Sequence, residues 1–304
     1  MPRVFVLLAA VCFGTTGTAQ ALGPDAAPLT VGATRIAVGG ALLLLVARAV
    51  PAAAAAWPRR ELGVIAAAIA VYQLSFFAAV DRTGVAVGTV VALGSAPALA
   101  GIVGRLLDGE PLTRRWARAT ALACAGVLLL VLGGGGGASV DPLGIMLAVV
   151  SGSGYATYTV LAKRLLRLGH APERVMAASF SLGALLLAPV LLAGDVSWLG
   201  SGDGLAMALF LGAVPTALAY VLFARGLRRL TPGETATLTL AEPLTATGLG
   251  ILALGERPGA IAAIGAALVL AGLLTLAAPA RPAGRDLRLR RRLSARPAEA
   301  GAAA

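Results

Sequence analysis

Ten apolar runs of 16–20 residues, each ended by proline, glycine or charge, dominate the 304-residue chain. They are Val4–Leu22, Val31–Val50, Leu62–Val80, Val85–Val103, Ala117–Leu132, Leu143–Ala162, Val175–Ala193, Leu205–Ala224, Thr235–Leu254 and Ala260–Leu276. A helix needs about 20 mostly apolar residues to cross the hydrocarbon core of a bilayer. The runs are continuous rather than alternating, so they read as helices and not as barrel strands. Only 13% of the residues are charged and 58% are hydrophobic. A soluble domain carries about 25% charged residues, so this chain has too little charge to coat a soluble surface. The expected class is all-α: a polytopic membrane protein with ten transmembrane helices.

The cations test that count. With the N-terminus on the cytoplasmic side, the inner segments hold Arg3; Arg48, Arg59 and Arg60; Arg105, Arg114, Arg115 and Arg118. They also hold Lys163, Arg164, Arg167 and Arg174; Arg225, Arg228 and Arg229; and seven arginines of the tail, which makes 22 of the 25 Lys and Arg. Arg82 and Arg257 fall outside, and Arg35 falls within a span. The outer loops carry Asp25, Asp81, Asp141, Asp195, Asp203 and Glu256. This alternation predicts ten spans with both termini cytoplasmic. Arg3, an apolar run and Ala19-Gln20-Ala21 imitate a cleavable signal peptide. The Gly14-Thr15-Thr16-Gly17 interruption, and the nine spans that removal would leave, favour retention as the first helix.

Other classes fall away. The net charge of +11 sits at span ends and in the tail, which is membrane orientation rather than a nucleic-acid footprint. Cys12 and Cys124 lie in apolar stretches, and His170 is the single histidine, so no zinc spacing or disulfide framework exists. There is no phosphate-cradling glycine loop after a strand and no nucleophile–base set. No cofactor or metal is expected.

The chain also repeats itself. At an offset of 146, Phe77 falls on Phe223, Arg82 on Arg228, Thr89 on Thr235, Pro97 on Pro243, Gly109-Glu110 on Gly255-Glu256 and Gly126 on Gly272. Sixteen of the 52 pairs from Phe77 to Leu128 are identical without a gap. Earlier in the halves the offset is 143, matching Gly40-Ala41-Leu42 to Gly183-Ala184-Leu185. Five helices per half is an odd number, so equivalent helices cross in opposite directions: a 5+5 inverted-topology repeat, the architecture of secondary transporters. The expected divisions are 4–132 and 143–278 for the two repeats, 133–142 for a glycine-rich linker, and 279–304 for a basic cytoplasmic tail. That tail either lies near anionic headgroups or serves as a topology determinant only.

Each half ends in Pro, twelve residues, then Glu: SAPALAGIVGRLLDGE (Pro97, Glu110) and AEPLTATGLGILALGE (Pro243, Glu256). With the approach YVLFARGLRRLTPGETATLTLAEP, the chain resembles the drug/metabolite transporter superfamily, specifically its EamA-type members with two five-helix repeats. The resemblance implies a ten-helix transporter, often an exporter of amino acids or other small metabolites across bacterial inner membranes. It does not specify the cargo.

Ionisable groups at membrane depth are costly and by default face a cavity or a partner. Glu242 precedes Pro243, whose ring frees a carbonyl near residue 239. Thr235, Thr239 and Glu242 at i, i+4 and i+7 would share one helix face. Glu242 is thus a candidate for a proton or a cationic group of the solute, the alternative being a protonated interhelical hydrogen-bond donor. Its repeat partner is Ala96. Arg35 would bind a carboxylate bidentately, pair with Glu242, or snorkel to the outer interface, which its depth slightly favours. Softer candidates are Ser151, Tyr155 and Tyr158 on the sixth span, Thr15, Thr16, Thr18 and Gln20 on the first, Tyr72 and Gln73 on the third, and Tyr220 on the eighth; each could equally be helix-packing glue. Pro97 and Pro243 are candidate hinges, with Pro189 and Pro215 as further bends. Gly84-x-x-x-Gly88 would bring helices close within the fold or in a homodimer. Trp57, Trp116 and Trp198 sit at span ends, where interfacial anchors are usual, and Glu110 and Glu256 read as solvated end-of-helix carboxylates.

The sequence therefore predicts a secondary transporter of a small metabolite, working by alternating access at a pocket between the repeats, with membrane lipids as surroundings and no nucleic-acid partner. The competing readings are a membrane-embedded enzyme or flippase for lipid-linked substrates, which would need an ionisable cluster at one interface, and a non-transporting membrane component.

Overall fold

The computed structural model describes residues 1–53, 55–133, 141–255 and 259–277. The glycine run, Glu256 and the basic tail lie outside the described residues. Among the described residues ten helical spans follow one another: α1 (Pro2–Leu22), α2 (Pro28–Arg48), α3 (Arg59–Gly84), α4 (Val87–Asp108), α5 (Arg114–Gly133), α6 (Pro142–Arg167), α7 (Pro172–Ala193), α8 (Gly202–Leu227), α9 (Pro232–Leu254) and α10 (Ala260–Ala277). Nine are long and apolar enough to cross a membrane by length and composition, and α10 is shorter. The fold is the all-α, ten-helix architecture expected.

Local chemistry sets the ends. Proline opens α1, α2, α6, α7 and α9, where its missing N–H costs nothing. The side chains of Asp141, Ser201 and Thr231 accept from the exposed N–H groups of Leu143, Gly204 and Glu234. The Asp141 carboxyl, at the surface, is held below the usual carboxylate range by the Arg82 guanidinium and then by the Leu143 N–H. Gly109 and Gly255 stop α4 and α9 with φ of 67° and 70°.

Three interruptions shape the interior. Between α3 and α4 the corner is Gly84 (φ 79°, ψ 159°), and Gly88 folds back onto Val80, where a Cβ would sit 3.2 Å from the Val80 backbone. The Gly84-x-x-x-Gly88 spacing is therefore a corner rather than a small-residue face on one helix. Within α8, Ala213–Leu218 forms a π turn around Pro215. Pro215 cannot donate to the Leu211 carbonyl, and the Thr216 hydroxyl donates to it instead at 2.8 Å. In α9 the helix Pro232–Thr239 closes through Leu240 N–H to Thr237 O and Ala241 N–H to Leu238 O, both 3.2 Å, before a second helix runs from Glu242 to Leu254. Thr235, Thr239 and Glu242 consequently do not share one continuous helix face. The backbone of α4 stays helical through Pro97.

The two repeats meet by mutual contacts. A Cβ on Gly126 of α5 would lie 2.5 Å from Val269 N and 2.6 Å from Gly265 O of α10. One on Gly272 of α10 would lie 2.7 Å from Ala119 O and 2.9 Å from Ala123 N of α5. The offset of 146 turns each set into the other, which is the signature of a two-fold contact. Gly14 of α1 meets Glu242 and Thr245 of α9, and Gly152 of α6 meets Ala92, Ser95 and Ala96 of α4, so each repeat also lends a glycine to the other.

Two ends of the bundle differ in charge. One, carrying the start of α1 and the ends of α2, α4, α6 and α8, holds most of the basic residues and is called the arginine-rich end. The opposite, acidic end carries Asp25, Asp81, Asp141, Asp195 and Asp203. Trp116 and Trp198 are only 9% and 7% exposed, and the Trp198 Nε1–H donates to the Thr30 hydroxyl at 3.3 Å. Both are packing groups rather than interfacial anchors; Trp57 is half-buried and stacks on His170 at 4.0 Å. Glu110 is not simply solvated: it pairs with Arg167.

Gly126→Leu should lower thermal stability by about 1–3 kcal/mol, the usual cost of overpacking. Gly63→Ala, where a Cβ meets nothing within 4 Å, should be neutral or stabilising. Thermal unfolding in detergent of the two variants checks the contrast.

Candidate functional site

A cavity of about 370 Å³ lies between the repeats. It is lined from the first repeat by Phe13, Thr16 and Gln20 of α1, Val31 and Arg35 of α2, Tyr72, Gln73, Phe76 and Phe77 of α3, and Thr89, Leu93 and Ala96 of α4. The second repeat contributes Ser151 and Tyr155 of α6, Tyr220 of α8, and Ala236, Thr239, Leu240, Glu242 and Ala246 of α9. On α1 to α4 these residues fall in the half of each helix nearer the acidic end. Toward the arginine-rich end the interior is filled instead by Tyr158, Phe180 and Phe223, each 1% exposed or less.

The structure brings seven of the eight candidate residues together here: Glu242, Arg35, Tyr155, Thr239, Gln20, Tyr72 and Tyr220. The exception is Tyr158. Its ring is buried behind the cavity among Tyr155, Tyr220, Phe180 and Phe223, with centroids 5.5–6.2 Å away, and its hydroxyl has no partner. Tyr155 and Tyr158 are three residues apart, and the helix turns one into the cavity and the other into the core.

Arg35 does not snorkel. It is 9% exposed, and its guanidinium donates to the Gln73 Oε1 at 3.1 Å. Its Nε and the Gln73 Nε2 are buried without a partner. Tyr72 lines the same cavity near enough to feel the guanidinium's charge. Gly32, one turn before Arg35, allows this approach, because a Cβ there would collide with Phe77 and with Gln73 Nε2. Around Arg35 the cavity thus presents donors that nothing in the protein satisfies.

Glu242 sits where α9 restarts, with the break at Leu240–Ala241 beside it. Gly14 lets α1 approach this point, since a Cβ there would lie 2.8 Å from the Glu242 carbonyl oxygen. Next to it, the Tyr155 hydroxyl and the Thr239 hydroxyl are 3.4 Å apart. Among the described residues no ion pair within 4.0 Å joins Arg35 to Glu242. An arginine and a carboxyl group therefore line the same cavity from different repeats without an ion pair between them. Ser151 holds the wall by donating to the Tyr72 carbonyl at 3.1 Å, and the Gln20 amide donates to Thr16 O at 3.3 Å.

The aromatic wall of Phe13, Phe76 and Phe77 was not singled out from the sequence. Phe13 lies 4.9 Å from Tyr220 between ring centroids. The match of Phe77 to Phe223 pointed at that position but not at its exposure to the cavity. No group of three or more His, Cys, Asp or Glu residues that could hold a metal ion occurs among the described residues.

The sequence pattern of the EamA-like transporter family matches residues 3–132 and again residues 142–278. The Bacillus subtilis protein named uncharacterized transporter YwfM is 40% identical over 282 residues, which cover 91% of this chain and 94% of that protein. Uncharacterized protein PA1977 of Pseudomonas aeruginosa is 34% identical over 221 residues, 70% of this chain and 74% of its own. A crystal structure superposes with a TM-score of 0.78 at 23% identity, covering 91% of this chain and 98% of that one, which is a likeness of fold.

Tyr158→Phe should leave ligand affinity unchanged and thermal stability equal or higher, because it removes a buried hydroxyl with no partner. Tyr155→Phe, on the cavity wall, should change affinity. Thermal-shift titrations with a panel of amino acids and amines check both.

Proposed function

Since this chain belongs to the EamA-like transporter family, we propose that it is a secondary transporter that exports a small zwitterionic metabolite, of the amino-acid class, by alternating access. The observation that carries this reading is that Arg35 and Glu242 line one cavity from different repeats with no ion pair joining them. A charge in a largely apolar site is costly until it is paired. A solute bearing a carboxylate and an ammonium satisfies both: the carboxylate accepts from Arg35 and Gln73, and the ammonium donates to Glu242 with Thr239 and Tyr155 nearby. The surrounding Phe13, Phe76 and Phe77 suit an apolar side chain on that solute. A volume of about 370 Å³ holds a molecule of this size with a few waters.

The same arrangement supplies coupling. A proton and an ammonium group compete for the Glu242 carboxylate, so the site holds one or the other. Proton entry from the acidic side then displaces solute outward, and solute loading from the cytoplasm displaces the proton inward. This is antiport, and the membrane's proton gradient drives it in the direction of export. The sequence assigns 22 of 25 cations to the inner segments between spans, so in this reading both termini face the cytoplasm of a bacterial inner membrane and the cavity opens outward. Pro243 at the break in α9 is the hinge on which this cycle turns, with Pro97 as its repeat counterpart in α4.

In proteoliposomes, Arg35→Lys should raise KM about tenfold with little change in maximal rate, because lysine loses the bidentate fit to a carboxylate. Glu242→Gln should make transport indifferent to an imposed proton gradient while solute exchange persists. Unchanged KM in the first and a retained gradient response in the second would overturn the assignment.

A further inference from the structure

Helices α4 and α9 close on each other at one end only. Near the arginine-rich end, a Cβ on Gly233 of α9 would lie 3.0 Å from the Gly101 Cα of α4, and one on Gly104 would lie 3.6 Å from Pro232. Ala100 and Ala236 pack together there with Ala156 of α6. Toward the acidic end, Thr89 of α4 and Ala246 of α9 both line the cavity that separates the two helices. The seam is shut at one end and parted at the other.

The end of α6 grips both sides of the shut seam. Lys163 is 6% exposed, and its ammonium donates to the carbonyls of Leu227 (2.8 Å), Arg228 (3.1 Å) and Leu230 (2.8 Å), in the turn that leads into α9. On the other side, Arg164 donates to Asp108 Oδ1 at 2.7 Å and to the Leu107 carbonyl at 2.9 Å, at the end of α4. Arg167 pairs with Glu110 and lies 3.6 Å from Asp108. The two carboxylates are 9% and 12% exposed, so removing their partners would leave nearly buried charges uncompensated. Charge-assisted bonds to helix-end carbonyls are among the stronger polar contacts.

Among the described residues the repeat has no counterpart for this grip. The offset of 146 carries Gly101 to Thr247 and Gly233 to Val87, so the opposite state would shut the seam between Val87 and Thr247. Yet α1, the counterpart of α6, has no lysine or arginine between Arg3 and Arg35. The Arg82–Asp141 ion pair at the acidic end joins α3 to the start of α6, which already touch through Thr83 and Gly144, and does not cross the parted seam.

We propose that Lys163, Arg164 and Arg167 form a clasp that holds the α4–α9 seam shut at the arginine-rich end, and that its one-sidedness makes the state open at the acidic end the resting state. The clasp rests on the alternating-access reading above, and it assigns Asp108, Glu110 and the three cations as positioning residues that never touch the solute.

The test uses full-length protein with Cys12→Ala and Cys124→Ala, carrying either Gly104→Cys in the shut seam or Ala246→Cys on the cavity wall. Maleimide should modify the cysteine at 246 quickly and the one at 104 slowly. Adding Arg164→Gln with Arg167→Gln should speed modification at 104 about fivefold, the population change that corresponds to roughly 1 kcal/mol, and slow it at 246. Arg164→Lys with Arg167→Lys, which keeps the charge, should restore the original rates. Unmoved rates in a protein that still transports, or a common acceleration at both sites with a lower Tm, would overturn the clasp. Reciprocal rates in a protein that transports none of the solutes tried would uphold the clasp and defeat the transport reading.

Discussion

In the hydrocarbon core no water is present to satisfy a peptide group, so every backbone N–H and C=O must find its partner within the chain. Helices answer this constraint, and the three places where this bundle departs from regular helix are accordingly the informative ones. Gly84 turns the chain where no side chain would tolerate the backbone. The Thr216 hydroxyl replaces the bond that Pro215 cannot make. The break at Leu240–Ala241 is placed beside the cavity, where the Glu242 carboxyl and the Thr239 and Tyr155 hydroxyls lie next to the loosened backbone.

Close approach of the halves comes from small residues rather than from hydrophobic attraction, since lipid tails are as apolar as leucine. Gly126 and Gly272 let α5 and α10 meet backbone to backbone, and Gly14 and Gly152 do the same for α1 against α9 and α6 against α4. The α5–α10 contacts obey the repeat's symmetry. The charges do not: Glu242 answers to Ala96, and the basic end of α6 answers to a neutral α1. The scaffold repeats itself, and the charges that set the cavity and its arginine-rich end apart do not.

Much of this was readable in one dimension. The ten runs reappear as ten helices among the described residues, the offset of 146 relates the α5–α10 contacts, and seven of eight candidate residues meet in one cavity. The misreadings share a cause. Arg35 looked close enough to the outer face to snorkel, Tyr158 looked equivalent to Tyr155, and Thr235 looked stacked below Glu242. Each judgement depended on the rotation of a helix about its axis or on its continuity, and sequence spacing alone leaves both open.

What the sequence determined by itself is the number of apolar helical runs and the duplication, because hydrophobic length and self-similarity are properties of the chain read in order. Only the tertiary structure decided which polar groups face the cavity, that Arg35 and Glu242 share it unpaired, and that Lys163, Arg164 and Arg167 span the α4–α9 seam. Those outcomes depend on helix azimuth and on close packing at particular glycines, and both are settled when the helices dock against one another.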